Sequence, residues 1–338
     1  MPVMTRRQLL LSLPALAAVP PSLLSPQVGT SPIRVRTLSH FGLAVSDPKR
    51  SVDFYRNLFG LPIQARAGTN TILRIGIGPQ FISIGPAENA APSINHFCLG
   101  VDNFNVDRIM AALAAHGVAK GDAAGPMKAA VTMRDGTPDL LFGDPDGIVC
   151  QLQDQRYCGG SGPLGNVCAV ETSPQKGLIA LRDLSHLTIS STDAARSNTF
   201  YQDLFGLSIR SYQGPTAPTL AVGPTVQFLM FTGGGGARGA APAAPPRQAS
   251  INHGCFSLDG FKTDAVIKAL ESFGIKPREG STSPVGPLRH YISMRMENRG
   301  GAPEGTPELY FTDPDGLLIQ LQDVSYCGGG GYLGNVCS

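Results

Sequence analysis

"GDPDGIVCQLQDQRYCGGSGPLGNVC", from Gly143 to Cys168, returns as "TDPDGLLIQLQDVSYCGGGGYLGNVC", from Thr312 to Cys337. Each copy reads as a turn, a strand and a glycine-rich loop between two cysteines, with a glutamine at the same place, Gln151 and Gln320. The duplication continues upstream. "LSHFGLAVSDPKRSVDFYRNLFGLPI" from Leu38 matches "LSHLTISSTDAARSNTFYQDLFGLSI" from Leu184, and "INHFCLGVDNFNVDRIMAALAAHGV" from Ile94 matches "INHGCFSLDGFKTDAVIKALESFGI" from Ile251. The globular chain is therefore a tandem duplication, with domains expected over 34–168 and 180–338 and a linker over 169–179. The second copy is longer in two places, "GGGGARGAAPAAPPRQ" before Ala249 and "MENRGGAPEG" before Thr306. Both insertions read as loops.

At 338 residues the chain is long enough for two domains, each with its own core. Lys+Arg of 27 against Asp+Glu of 25 leaves a net charge of +2, which argues against a nucleic-acid partner. Residues 1–30 read as an export signal and linker: Arg6 and Arg7 precede an apolar run from Leu9 to Val19 that is too short to span a bilayer. The order Thr-Arg-Arg-Gln-Leu-Leu resembles a twin-arginine signal, with an ordinary secretory signal as the alternative. The expected location is periplasmic or extracellular, with no membrane association after signal removal.

Export makes a local disulfide the economical reading of Cys158 with Cys168 and of Cys327 with Cys337, and zinc the rival one. Cys98, Cys150 and Cys255 are left over.

Each copy shows strand, helix and further strands, twice over. Asp47 caps a helix with Pro48 in its first turn and a stop at Gly60, and a second helix runs through Val106, Ile109, Met110 and Leu113 toward Gly117. Because strand side chains alternate, Phe41, Leu43 and Val45 share one face and His40, Gly42 and Ala44 the other. The same parity sets His96 against Phe97 and Leu99, His186 against Leu187 and Ile189, and His253 against Phe256 and Leu258. Gln151 and Gln320 likewise fall on the polar, non-core face. Two histidines and a third polar group at matching points, occurring twice, point to metal binding.

At these residues the chain resembles the vicinal oxygen chelate superfamily, which includes glyoxalase I, bleomycin-resistance proteins and extradiol dioxygenases. The resemblance rests on "FYRNLFGL" and "FYQDLFGL" after the first strand and on "DPDG" before the last, and it covers Val35 to Gln155 and Leu181 to Asp323. It implies an α+β fold of tandem domains, each made of two βαβββ units curled into a cup-shaped half-open barrel. It also implies a divalent metal ion, Fe(II) or Mn(II) before Zn, Ni or Co. The implied ligands are His40, His96 and Gln151 in one domain and His186, His253 and Gln320 in the other. Many relatives carry glutamate where both glutamines stand, so the ligand set here is neutral and holds a divalent ion less tightly.

The second domain has Tyr310 ten residues before Gln320, where extradiol dioxygenases carry a pocket tyrosine and the first domain has Leu141. His290 and Tyr291, on an expected strand edge, are candidates for proton donation, so His290 and Tyr310 are the expected catalytic pair. The longer loops of this domain are candidates for a lid. Arg134 and Arg295 read as surface arginines with an anionic substrate as the other possibility, and Cys98 and Cys255 as small wall residues. Two classes of function follow. One is an exported metalloenzyme acting on a small organic substrate with vicinal oxygens, by dioxygenase, lyase or isomerase chemistry. The other is a metal-free protein that binds or sequesters a small molecule in the manner of the bleomycin-resistance proteins.

Overall fold

The computed structural model describes residues 31–233, 248–281 and 285–337. The leader-like segment and most of the insertion before Ala249 lie outside the described residues. In the first half, β1 (Val35–Val45), α1 (Pro48–Phe59), β2 (Ile63–Ala67), β3 (Asn70–Arg74) and β4 (Phe81–Pro86) form one unit. The next unit is β5 (Ser93–Val101), α2 (Val106–Ala115), the two-residue β6 (Ala119–Lys120), β7 (Lys128–Arg134), β8 (Thr137–Gly143) and β9 (Val149–Asp154). The second half repeats the order as β10 (Asp183–Ser190), α3 (Ala194–Phe205), β11 (Ile209–Tyr212), β12 (Pro218–Ala221) and β13 (Phe228–Thr232). Then come β14 (Ser250–Leu258), α4 (Thr263–Ser272), β15 (Lys276–Pro277), β16 (Arg289–Arg295), β17 (Thr306–Thr312) and β18 (Leu318–Asp323).

Local chemistry sets these boundaries. The Asp47 carboxylate accepts the Arg50 N–H at 3.0 Å, Pro48 begins α1, and Gly60 ends it at φ 69. Asp193, Arg196 and Gly206 repeat the device on α3. The strands form two nine-stranded sheets that remain open, with orders β2-β3-β4-β1-β5-β9-β8-β7-β6 and β11-β12-β13-β10-β14-β18-β17-β16-β15. In each sheet the first strands of the two units pair antiparallel at the centre, β1 with β5 and β10 with β14. The last strand pairs parallel beside them, β9 on β5 and β18 on β14. His40, His96 and Gln151 therefore sit on three neighbouring strands, as do His186, His253 and Gln320.

The expectation of a separate core in each half is not what the chain does: one apolar cluster runs through both. The first helix of each half packs on its own sheet, α1 on β3 and β4 and α3 on β12 and β13, and also exchanges aromatic contacts with the other half. Phe59 of α1 lies 5.9 Å from both Phe256 and Phe311, and Tyr201 of α3 lies 6.3 Å from Phe97. The two Asp-Pro-Asp-Gly turns lock this exchange. Asp313 accepts the Asp315 and Leu317 N–H groups and faces the Tyr55 hydroxyl at 3.3 Å, while Arg50 donates to Asp315 at 2.8 Å. Asp144 does the same for the Asp146 and Ile148 N–H groups and Tyr201, and Ser191, Thr192 and Arg196 close on Asp146.

Cys158–Cys168 and Cys327–Cys337 are disulfide-bonded, each across a sequence separation of 10. Closing a loop of that size restricts the unfolded chain by about 2.5 to 3 kcal/mol in the chain-entropy model. Thr137 and Thr306 donate to the Gly162 and Gly331 carbonyls, which pins both loops against their sheets. No described helix is long and apolar enough to cross a membrane.

Candidate functional site

The concave face of each sheet holds a cup, with a cavity of ≈ 200 Å³ in the first half and ≈ 300 Å³ in the second. His40, His96 and Gln151 line the first, and His186, His253 and Gln320 the second. Strand parity thus brings both expected triads together, each on its polar face.

The rings are held from behind. His40 stacks on Phe81 at 4.1 Å and His186 on Phe228 at 4.3 Å, while the second histidine of each pair stands edge-on at 81°. The Nδ1 atoms of His96 and His253 lie 2.7 and 2.8 Å from the Asn95 and Asn252 side-chain oxygens. An amide oxygen only accepts, so each Nδ1 carries the proton and each Nε2 presents a bare lone pair. Ser39 and Ser185 meet the Nδ1 atoms of His40 and His186 at 3.3 and 3.1 Å. Burial pulls His40 and His186 well below the ordinary imidazole range and takes His96 and His253 down to about 4. All four rings are neutral at pH 7, the state in which imidazole binds a metal.

The two cups use these donors differently. In the first, the Nε2 atoms of His40 and His96 are 3.3 Å apart. That separation suits two ligands of one ion at about 2.0–2.1 Å. His96 reaches it by folding over Gly42, where an added Cβ would lie 2.2 Å from the ring. The second half has Thr188 at the matching position, paired with His253. There the His253 Nε2 is buried with no hydrogen-bond partner among the described residues, while the His186 Nε2–H donates to the Gln320 Oε1 at 3.1 Å, a hydrogen that would move to Nδ1 beside Ser185 when Nε2 takes a metal. A buried lone pair beside a second imidazole and an amide oxygen is a donor set that fits a divalent ion. Among the described residues no group of three or more His, Cys, Asp or Glu side chains could hold one, so an ion in either cup would need the glutamine oxygen as its third donor.

Tyr310 lines the second cup, pairs in register with Gln320 and stands edge-on to His253 at 5.2 Å. Burial raises its pKa well above the phenol range, so it keeps its proton. His290 is not in the cup. Tyr291 pairs with Tyr310, so alternation turns His290 to the helix face, where its Nε2 meets Glu271 of α4 at 3.2 Å. Of the expected catalytic pair, only Tyr310 lines the cup. Arg295 is not at the surface either. It is fully buried, bonded to Glu308 at 2.8 Å and to the Gly300 and Gly329 carbonyls. Cys98 and Cys255 are buried on the strands that carry His96 and His253, and burial holds their thiols in the protonated form.

Three features of the cups were not among the sequence expectations. Tyr157 and Tyr326, each just before a disulfide cysteine, come back onto the cup 5.8 and 5.5 Å from His40 and His186. Asp139 and Glu308 supply each cup with a carboxylate from the strand next to the glutamine. Arg299, in the insertion that only the second half carries, lines that cup and has no acidic partner among the described residues. The repeated Tyr-Cys-Gly-Gly and the acid two residues before Leu141 and Tyr310 were the available signals.

A model of the Glyoxalase/Bleomycin resistance protein/Dioxygenase superfamily matches residues 37–152 and 183–321. Among solved structures, the Mn(II)-bound glyoxalase from Novosphingobium aromaticivorans is similar at a TM-score of 0.58 and 16% identity, over 86% of this chain and 82% of that one. The 2,3-dioxygenase LapB from Pseudomonas sp. KL28 gives 0.57 and 16%, over 85% and 92%. Homoprotocatechuate 2,3-dioxygenase from Arthrobacter globiformis gives 0.56 and 16%, over 88% and 81%. No curated protein matches the sequence. At such identities the structural likeness is one of fold, while the family model spans most of the chain. The chain belongs to the Glyoxalase/Bleomycin resistance protein/Dioxygenase superfamily, present here as two tandem copies.

Proposed function

We propose that the chain is a metalloenzyme whose second cup takes a small organic substrate with vicinal oxygens, for dioxygenase, lyase or isomerase chemistry. The observation that carries this reading is the buried, unpartnered His253 Nε2 beside His186 and the Gln320 oxygen. His186, His253 and Gln320 would hold a divalent ion, Fe(II) or Mn(II) before Zn, Ni or Co, which when bound would supply Lewis acidity to the vicinal oxygens that chelate it. Tyr310 keeps its hydroxyl proton with Glu308 as a long acceptor at 3.4 Å, so it serves the substrate as a hydrogen-bond donor rather than as a base. Arg295 balances Glu308, which leaves Arg299 as the unbalanced charge of the cup. The favoured substrate therefore bears a negative group beyond its vicinal oxygens.

A metal-free binding role is the second reading, favoured by the absence of a carboxylate among all six donors. One experiment separates the two: binding of catechol and of 3,4-dihydroxybenzoate, with Mn(II) and after exhaustive chelation. Mn(II)-dependent binding of both probes, with the carboxylate favoured several-fold and that preference lost in Arg299→Ala, is the expected result. Binding that survives chelation unchanged belongs to the metal-free role.

For the location we propose the periplasm or the extracellular space, supported by two local disulfides that need an oxidising compartment. Replacing Arg6 and Arg7 by lysine is expected to hold precursor inside the cell if the twin-arginine route is used. Unchanged export returns the leader to the ordinary secretory route.

A further inference from the structure

We propose that Asp139 is a positioning residue that decides which end of the Gln151 amide faces the histidines of the first cup. The proposal rests on the metal reading above and concerns how a neutral amide is made to act as an oxygen ligand. A side-chain amide has an oxygen that can coordinate a cation and an NH₂ group that cannot, and the two ends are almost the same shape. Glutamate at this position would have no wrong end. Glutamine does, so something in the fold has to tell its ends apart.

In the first cup that something is a carboxylate on the next strand. Asp139 Oδ1 accepts from Gln151 Nε2 at 3.2 Å and from Gln153 Nε2 at 2.9 Å, and Oδ2 accepts from Arg134 Nε at 3.1 Å. Arg134 is fixed in turn on the Tyr157 hydroxyl at 2.8 Å. An ionised carboxylate offers no hydrogen to an amide oxygen, so only the NH₂ end of Gln151 can face it. The oxygen is then left to face the cup that His40 and His96 line. A carboxylate on the NH₂ end also draws negative charge onto the amide oxygen, so the acid strengthens the ligand as well as aiming it. Gln153 cannot take this role, because its own NH₂ group is spent on Asp139 and the Pro138 carbonyl.

The second cup is the internal control. Glu308 occupies the matching position, but its oxygens are taken by Arg295, Tyr326 and Tyr310. The Gln320 Nε2 is buried with no hydrogen-bond partner among the described residues. Gln320 is aimed only by its contact with His186, and no acid touches its nitrogen.

The test is a Mn(II) titration of the full chain, followed by calorimetry and by the electron paramagnetic resonance of bound Mn(II), with His40→Ala marking the first-cup site. Wild type is expected to bind two ions per chain. Asp139→Asn gives the neighbour a group that can donate to the amide oxygen. First-cup affinity should then fall by about 10- to 100-fold, the usual cost of losing an outer-shell partner, while the second cup stays unchanged. Adding Gln151→Glu should restore the first cup, because a carboxylate has an oxygen at either end. Gln151→Glu alone sets two acids against each other and should bind more weakly than wild type, whereas Gln320→Glu should tighten the second cup. These single changes also decide the question if Asp139→Asn fails to fold. A merely structural Asp139 predicts lost thermal stability with no rescue by Gln151→Glu. First-cup affinity within about two-fold of wild type in Asp139→Asn, or no rescue, overturns the proposal. A wild type that binds no Mn(II) in either cup overturns the metal reading itself, and the two failures are distinguishable.

Discussion

His253→Ala is expected to abolish Mn(II) binding in the second cup, and with it the proposed catalysis, while the fold keeps its stability. Loss of an outer-shell partner alone costs about 10- to 100-fold in metal affinity, so removing one of three direct donors should cost more than ~100-fold. Stability should move the other way, or not at all. The His253 Nε2 is buried without a partner, a desolvated group that costs about 1–3 kcal/mol, and alanine removes that cost at the wall of a cup that water can enter. Mn(II) titration and a urea melt of the metal-free protein read the two effects separately. A variant that unfolds early and also loses metal would place His253 among the structural residues, and one that retains metal would contradict its role as a ligand.

The second large effect lies far from the cups, in the turns that join the halves. Asp313→Ala strips acceptors from the Asp315 and Leu317 N–H groups and from the Tyr55 hydroxyl, all inside the shared core. Each orphaned group costs about 1–3 kcal/mol, so a loss of about 3 kcal/mol or more is expected. Asp313→Asn should stay within about 1 kcal/mol, because its oxygen keeps the two N–H bonds and its NH₂ can donate to Tyr55. The same carboxylates give a pH signature. Burial raises Asp144 and Asp313 to about 6 in the folded chain, above their unfolded value of about 3.9. The folded state holds these protons more tightly, so their favourable contribution is complete below about pH 4 and is lost as pH rises through about 6. Going from pH 7 to pH 5 should add about 1 kcal/mol per group to stability in wild type and nothing from these sites in the Asp144→Asn/Asp313→Asn variant. Equal pH slopes in the two proteins would show that neither acid titrates in this range.

The residues most readable from sequence were those whose role depends on parity alone. A histidine two residues from its neighbours on a strand shows its face without any knowledge of pairing, and the duplication supplied an independent copy of each observation. His290 failed for the opposite reason. Its face depends on the register of β16 against β17, and the ten-residue insertion between them removes any short turn from which to count. The shared core was hidden because Phe59 of α1 and Tyr201 of α3 reach past their own sheets to Phe256 and Phe97 of the other half, contacts set by the fit of side chains to distant strands rather than by any local pattern. Arg295 was read as exposed because its partner Glu308 and its carbonyl acceptors come from three separate segments. Tyr157 and Tyr326 were legible only as a repeat, since a disulfide loop folding back over a sheet has no periodicity.

The most direct test of the central claim is the anomalous scattering of Mn(II) soaked into crystals of the full chain. A peak is expected in the second cup about 2.0–2.3 Å from His186 Nε2, His253 Nε2 and Gln320 Oε1, with a matching peak at His40, His96 and Gln151. Strong peaks elsewhere on the protein with both cups empty would contradict it.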